Sequence, residues 1–160
     1  MMRIGFGFDV HQLTSGNPLW IGGVKVPFDK GAVAHSDGDV LIHALCDSLL
    51  GAADLRDIGF HFSDQDEQYK NIDSKILLSK TLSLICDEGY TFCNTDITLV
   101  IQKPKMKDWI PSMKDKLAEV MQCSPRQISI KATTSEYMGF EGRGDGVSCY
   151  AVVLIQPSSE

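Results

Sequence analysis

The chain lacks paired cysteines. Cys46, Cys86, Cys93, Cys123 and Cys149 are scattered, odd in number, and form no CxxC pair. A cysteine-built zinc site is therefore not expected, and the five thiols read as reduced, small apolar residues. Long apolar runs are missing too, since nothing approaches the ~20 residues a membrane helix requires. The stretch MMRIGFGFDVH carries an acid where a secretory signal needs an apolar core. The expectation is a cytoplasmic protein with no membrane partner. Positive charge is short as well, with Lys+Arg 15 against Asp+Glu 21 and a formal net charge of −6. That excludes nucleic acid as the main partner, because such binders carry clustered positive charge. An anionic metabolite stays open, provided metal ions and backbone N–H groups neutralise it. Repeats, low-complexity tracts and linkers are absent, so the 160 residues are expected to form one domain, 1–160.

What is present is patterning. Along 3–12, Ile4, Phe6, Phe8 and Val10 point one way and Gly5, Gly7, Asp9 and His11 the other, the alternation of a strand. A turn-rich TSGNP precedes LWIGGVKVPF, read as one strand with a Gly-Gly kink. Helices are expected at 39–54, 74–88 and 109–121, with Pro111 tolerable near the first turn of the last. Further strands are expected at 91–102, 127–133 and 147–155. Helices so few and so bunched favour an α+β fold, a mainly antiparallel sheet with helices packed on one face. Three long loops, 29–38, 56–73 and 133–146, are rich in Gly, Asp, Ser and His, and loops of that length are usually functional.

Chemistry-bearing residues gather in four places. Asp9 and His11, at i and i+2 on a strand, project from one face roughly 7 Å apart and can converge on one ion, although alone they read more readily as a solvent-facing pair on an edge strand. His43 lies opposite the apolar arc Leu41, Ile42, Leu45, Leu49, Ala52 and Ala53 of its helix, between Asp39 and Asp47. Alone it suits a polar helix surface. With Asp9 and His11 it completes two His and one Asp, the stoichiometry of a catalytic zinc site, with Asp39 or Asp47 as acceptor for its second ring nitrogen. His35-Ser36-Asp37-Gly38-Asp39 precedes that helix, with Ser36 or Asp37 as the expected cap. Its free N–H groups suit a phosphate that His35 would touch. The acidic, aromatic segment 57–66 reads as a solvated turn or as a lid over a polyol. Thr133-Thr134-Ser135-Glu136 offers hydroxyls and a carboxylate, a plain loop or a site for phosphate oxygens and a hard cation. Gly5-x-Gly7 lacks the third glycine and following helix of a dinucleotide fingerprint.

The segments FDVH, KG-x-x-AHSDGDV-x-x-HAL-x-D, LGAA-x-L-x-DIG, QKPKM and KATT-x-E-x-x-GF-x-GRG, in this order over residues 3–155, resemble the 2-C-methyl-D-erythritol 2,4-cyclodiphosphate synthase family. The resemblance implies intramolecular phosphoryl transfer, by a divalent-metal-dependent phosphorus–oxygen lyase. The family's substrate is 4-diphosphocytidyl-2-C-methyl-D-erythritol 2-phosphate, and its products are the cyclic diphosphate and CMP. The resemblance also implies a homotrimer with active sites between subunits, zinc or another divalent transition metal on Asp9, His11 and His43, and a second ion, Mg2+ or Mn2+, near Glu136. His35 and Thr134 match positions credited with transition-state stabilisation. Ser36, Asp57, Ile58, Gly59, Phe62, Ser63, Asp64, Gln65 and Asp66 match the methylerythritol-phosphate side. Ile101, Gln102, Lys103, Pro104, Lys105, Met106, Lys107 and Thr133 match the cytidine side, and Ser135, Phe140 and Arg143 the remaining contacts. Phe8 matches a residue lining a central cavity that holds an isoprenoid diphosphate in some relatives. Phe6 stands where relatives often have His, His61-Phe62-Ser63-Asp64 where many have Leu-Phe-Pro-Asp, and Asp145 where Glu is common. Two rival expectations are a metal-dependent phosphohydrolase and a non-catalytic trimer binding isoprenoid diphosphates.

Overall fold

A computed structural model describes residues 1–63 and 65–158. In chain order it runs β1 (Arg3–Ser15), β2 (Leu19–Ile21), β3 (Val24–Val26), β4 (Lys30–Ala32), α1 (Val40–Ala52), α2 (Ile58–His61) and α3 (Ser74–Asp87). It continues with β5 (Tyr90–Val100), α4 (Ile110–Met121), β6 (Ile128–Thr133), α5 (Gly139–Arg143) and β7 (Gly146–Pro157). Five strands form one sheet in the order β4-β1-β7-β5-β6. All neighbours are antiparallel except β5 and β6. The fold is therefore α+β as expected, and the parallel edge pair makes the sheet mixed.

The alternation of β1 decides which way the molecule faces. Gly5 and Gly7 turn inward, where a Cβ would lie 1.8 Å from the Ser48 carbonyl oxygen and 2.0 Å from that of Ala44. Helix α1 thus rests directly on the strand backbone, an approach only glycine permits. Ile4, Phe6, Phe8 and Val10 turn outward and stay exposed, beside Tyr150 and Val152 of β7. The core lies between the sheet's inner face and the helices, with Leu41, Leu45, Leu49, Ile97, Leu99 and Val153 sealed inside. Cys46 and Cys149 belong to that core, and burial pushes the Cys46 thiol up to about 12. All five cysteines are free, in line with their scattered spacing.

Several expectations need correcting. The single kinked strand over LWIGGVKVPF is a hairpin of β2 and β3. Gly22 and Gly23 have φ of +61° and +75°, and two successive left-handed residues reverse the chain rather than kink it. The segment 29–38 contains β4, which pairs with Leu13, Thr14 and Ser15 and so extends β1 beyond residue 12. The segments 56–73 and 133–146 hold the short helices α2 and α5 and a 3-10 turn, Glu67–Tyr69. The cap of α1 is neither Ser36 nor Asp37 but Asp39. Its carboxylate accepts from Ile42 N at 3.0 Å and from Gly22 N and Gly23 N at 2.9 and 2.7 Å, tying the hairpin turn to the helix start. Finally, α1 is buried on almost every side, Val40, Ala44, Cys46 and Leu50 included, because β1 and β7 cover one flank and α3 another. His43 and Asp47 are its half-buried polar positions.

Candidate active site

The close seat of α1 on β1 brings three ligand-type side chains together. Asp9 Oδ2, His11 Nε2 and His43 Nδ1 form a nearly equilateral triangle with sides of 3.1, 3.1 and 3.0 Å. Donors about 2.0–2.1 Å from a tetrahedral ion would lie roughly 3.3 Å apart, so the triangle suits one face of such a site. Among the described residues it is the one group of three or more His, Cys, Asp or Glu with ligand atoms so close. A divalent metal therefore fits Asp9, His11 and His43. Burial pushes the Asp9 carboxyl up, but hydrogen bonds from His11 and His43 overcome it and bring the group to about 2. Burial also disfavours a charged His43, and the Asp9 carboxylate more than compensates, leaving that imidazole above its ordinary value.

The second ring nitrogen of His43 does not meet Asp39 or Asp47. Asp39 is spent on the hairpin, and Asp47 accepts from Ile58 N at 2.7 Å, holding the start of α2. His43 Nε2 instead faces Ser74 Oγ at 2.9 Å and Ser36 Oγ at 3.2 Å. Ser74 carries no local signal, since only the folded chain brings the start of α3 to the first turn of α1.

Beside the triangle opens a cavity of about 410 Å3, lined by His11, His35, Ser36, His43, Ile58, Gly59 and Phe62, and also by Ala34, Tyr69, Ile72 and Leu77. Ala34 falls within the AHSDGDV segment, whereas no spacing or motif singles out Tyr69, Ile72 or Leu77. Among the described residues, His35 Nε2 is buried there without a hydrogen-bond partner, which is uncommon for a buried polar atom. Asp57 caps α2, accepting from Phe60 N at 2.9 Å. Ser63 accepts from Gln65 N, and Asp66 caps the Glu67–Tyr69 turn through Gln68 N. Ser63 and Asp66 thus organise the segment, Gln65 is exposed, and none of the three lines the cavity. Asp64 lies outside the described residues.

The remaining expected residues lie elsewhere on the same chain. Ile101, Gln102, Pro104, Lys105, Met106, Lys107, Thr133 and Thr134 line a second cavity of about 470 Å3, which shares no residue with the first. Lys103 faces a third cavity, together with Gln102 and Arg143. Thr134 Oγ1 donates to Glu136 Oε1 at 3.0 Å, so Glu136 stands with one hydroxyl rather than with other acids. Ser135 Oγ donates to the Met138 carbonyl. Phe140 and Arg143 line a shallow cavity reaching His11, and Arg143 Nε donates to Asp145 at 2.8 Å. By register, Val10 pairs with Ser148, Ser148 with Val100 and Val100 with Thr133. Three strand spacings, about 14 Å, therefore separate the triangle's strand from the threonines.

Comparison with known proteins agrees over nearly the full length. The profile of the YgbB family matches residues 2–156. A 2-C-methyl-D-erythritol 2,4-cyclodiphosphate synthase of Bacteroides fragilis is 57% identical over 154 residues, 96% of this chain and 97% of that protein. The bifunctional IspDF of Campylobacter jejuni superposes with a TM-score of 0.95 at 38% identity, covering 98% of this chain, which spans 42% of that longer one. An IspF of Plasmodium falciparum, solved as a CDP complex, gives a TM-score of 0.87 at 32% identity over 99% of this chain and 97% of its own.

Proposed function

The chain belongs to the YgbB family, and we propose from that premise that it is a 2-C-methyl-D-erythritol 2,4-cyclodiphosphate synthase. It converts 4-diphosphocytidyl-2-C-methyl-D-erythritol 2-phosphate to the 2,4-cyclodiphosphate and CMP. The single observation that carries this reading beyond the family match is the Asp9, His11, His43 triangle opening on a cavity where His35 Nε2 has no partner among the described residues.

In the reaction a 2-phosphate oxygen of the substrate forms a bond to the β-phosphorus. The bond from that phosphorus to the bridging oxygen breaks, and CMP departs with the electron pair. The nucleophile is already ionised at neutral pH, so no strong base is needed. What the protein must do is bend an acyclic diphosphate into line and offset the charge that builds. Asp9, His11 and His43 would hold zinc or another divalent transition metal, and Glu136 a Mg2+ or Mn2+. Such ions supply Lewis-acid neutralisation of phosphoryl oxygens. His35 Nε2 and the Thr134 hydroxyl are assigned to the phosphoryl oxygens, as donors to the charge that develops in transfer. Ser36, Ile58, Gly59 and Phe62 hold the methylerythritol phosphate. Asp57, Ser63, Gln65 and Asp66 are assigned to its hydroxyls. Residues 101–107 with Thr133 hold cytidine, Ser135 shapes the turn beside them, and Phe140 and Arg143 bound the far side.

His35 and Thr134 line separate cavities of one chain, which supports sites completed by a neighbouring copy in a homotrimer. Three outward strips of Ile4, Phe6, Phe8 and Val10 would then line a central apolar cavity, suited to the hydrocarbon of an isoprenoid diphosphate. No described helix is long and apolar enough to cross a membrane, and a cytoplasmic location is proposed with the pathway. Phosphorus NMR of the protein incubated with the cytidyl substrate is the test. Two coupled cyclic diphosphate signals and CMP are expected; a ring-opened diphosphate would overturn the reading.

A further inference from the structure

His43 has two ring nitrogens and two serines competing for one of them. Nδ1 faces Asp9 and His11, so with an ion in the triangle its lone pair points there and the proton must sit on Nε2. From Nε2 two hydroxyl oxygens are in reach, Ser74 Oγ at 2.9 Å and Ser36 Oγ at 3.2 Å. Their surroundings differ. Ser74 is fully buried at the first residue of α3 and does not line the cavity. Its hydroxyl donates to Asp37 Oδ1, and its backbone N–H donates to Asp37 Oδ2 at 2.9 Å. With its hydrogen committed to Asp37, Ser74 Oγ presents a lone pair to Nε2–H. Ser36 Oγ lines the cavity and accepts from Gly38 N at 3.2 Å.

We infer that Ser74 and Asp37 are positioning residues for the metal ligand His43. They form a directed chain, Nε2–H to Ser74 Oγ and Ser74 Oγ–H to the Asp37 carboxylate, which selects the tautomer and fixes the ring. The inference rests on the metal-dependent reading above and deepens it. It also divides the two serines by task, since Ser36, relieved of the imidazole, keeps its hydroxyl for a phosphate. Two further contacts brace the chain: Asp37 N donates to Ile72 O at 3.1 Å and Asn71 N to His35 O at 2.7 Å. These bonds tie the segment 71–74 to the His35 loop.

The test is zinc affinity of the full-length chain, measured by chelator competition, together with the slowly exchanging Nε2–H proton resonance of His43 in the zinc-loaded protein, assigned by its loss in His43→Ala. Ser74→Ala should weaken zinc binding about 10–100-fold and abolish that resonance. Ser36→Ala should leave both nearly unchanged while impairing turnover. Wild-type affinity with the resonance intact in Ser74→Ala, or its loss in Ser36→Ala instead, overturns the assignment. Asp37→Asn keeps an oxygen to accept from Ser74 but drops the charge, so its expected loss of affinity is smaller. Should Ser74→Ala not fold, unchanged zinc affinity and an unshifted resonance in Asp37→Asn overturn the assignment equally. A wild-type chain that holds no divalent metal would overturn the functional reading instead.

Discussion

Asp9 and His43 pull each other's protons in opposite directions, and the pair sets how the site responds to acid. In the metal-free protein Asp9 stays ionised down to about 2, while His43 keeps its proton above the ordinary 6.5. A raised histidine contributes stability that is present below 6.5 and lost as pH rises through its folded value. Metal requires the neutral ring, so the ion's own stabilisation runs the other way and grows as pH rises. The rise in melting temperature on adding zinc is therefore expected to be larger at pH 8 than at pH 6, by calorimetry against a chelated control. His43→Ala should remove that rise at both pH values, and cyclisation with it, in a chain that still folds. The three ligands are legible in sequence because strand and helix periodicity set each apart from the apolar residues of its own element. The partners of His43 are not. Asp39 and Asp47 have the right helical spacing, yet backbone N–H groups claim both, and Ser74 arrives through tertiary contact alone.

At the scale of elements, the contact between β1 and α1 governs the site. An alanine Cβ at position 7 would sit 2.0 Å from the Ala44 carbonyl oxygen, one residue after His43. Gly7→Ala should cost about 1–3 kcal/mol of overpacking in a urea melt. It should also weaken metal binding at least tenfold, because the helix must lift away although every ligand remains. Gly5→Ala meets Ser48 and Ala52 farther along the helix, so it should destabilise similarly with a smaller metal defect. Asp39→Ala would strand three buried N–H groups at the hairpin and helix start. Each such group costs about 1–3 kcal/mol, so the melting midpoint should fall sharply. The long elements follow the sequence within a residue or two at most ends. The hairpin escapes, because Gly-Gly is compatible with kink and turn alike and only φ separates them. The strand β4 escapes because three residues carry too little periodicity to signal pairing.

For the molecule as a whole, the outward face of β1 and β7 leaves Phe6 at 63% and Ile4 at 73% exposed. A contiguous apolar strip of this kind marks an interaction surface, and sedimentation equilibrium at micromolar protein should find the proposed trimer rather than a monomer. The partition of the two cavities then has a genetic consequence. His43→Ala ruins the first cavity of its chain and spares the second; Thr134→Ala does the reverse. Each variant alone should be nearly inert. After the two are unfolded together, mixed in equal amounts and refolded, chance assortment leaves about one quarter of the subunit junctions with both intact halves. Activity should return to about that fraction of the wild-type value, a complementation between two dead alleles. A chain whose site lay within one subunit would return none.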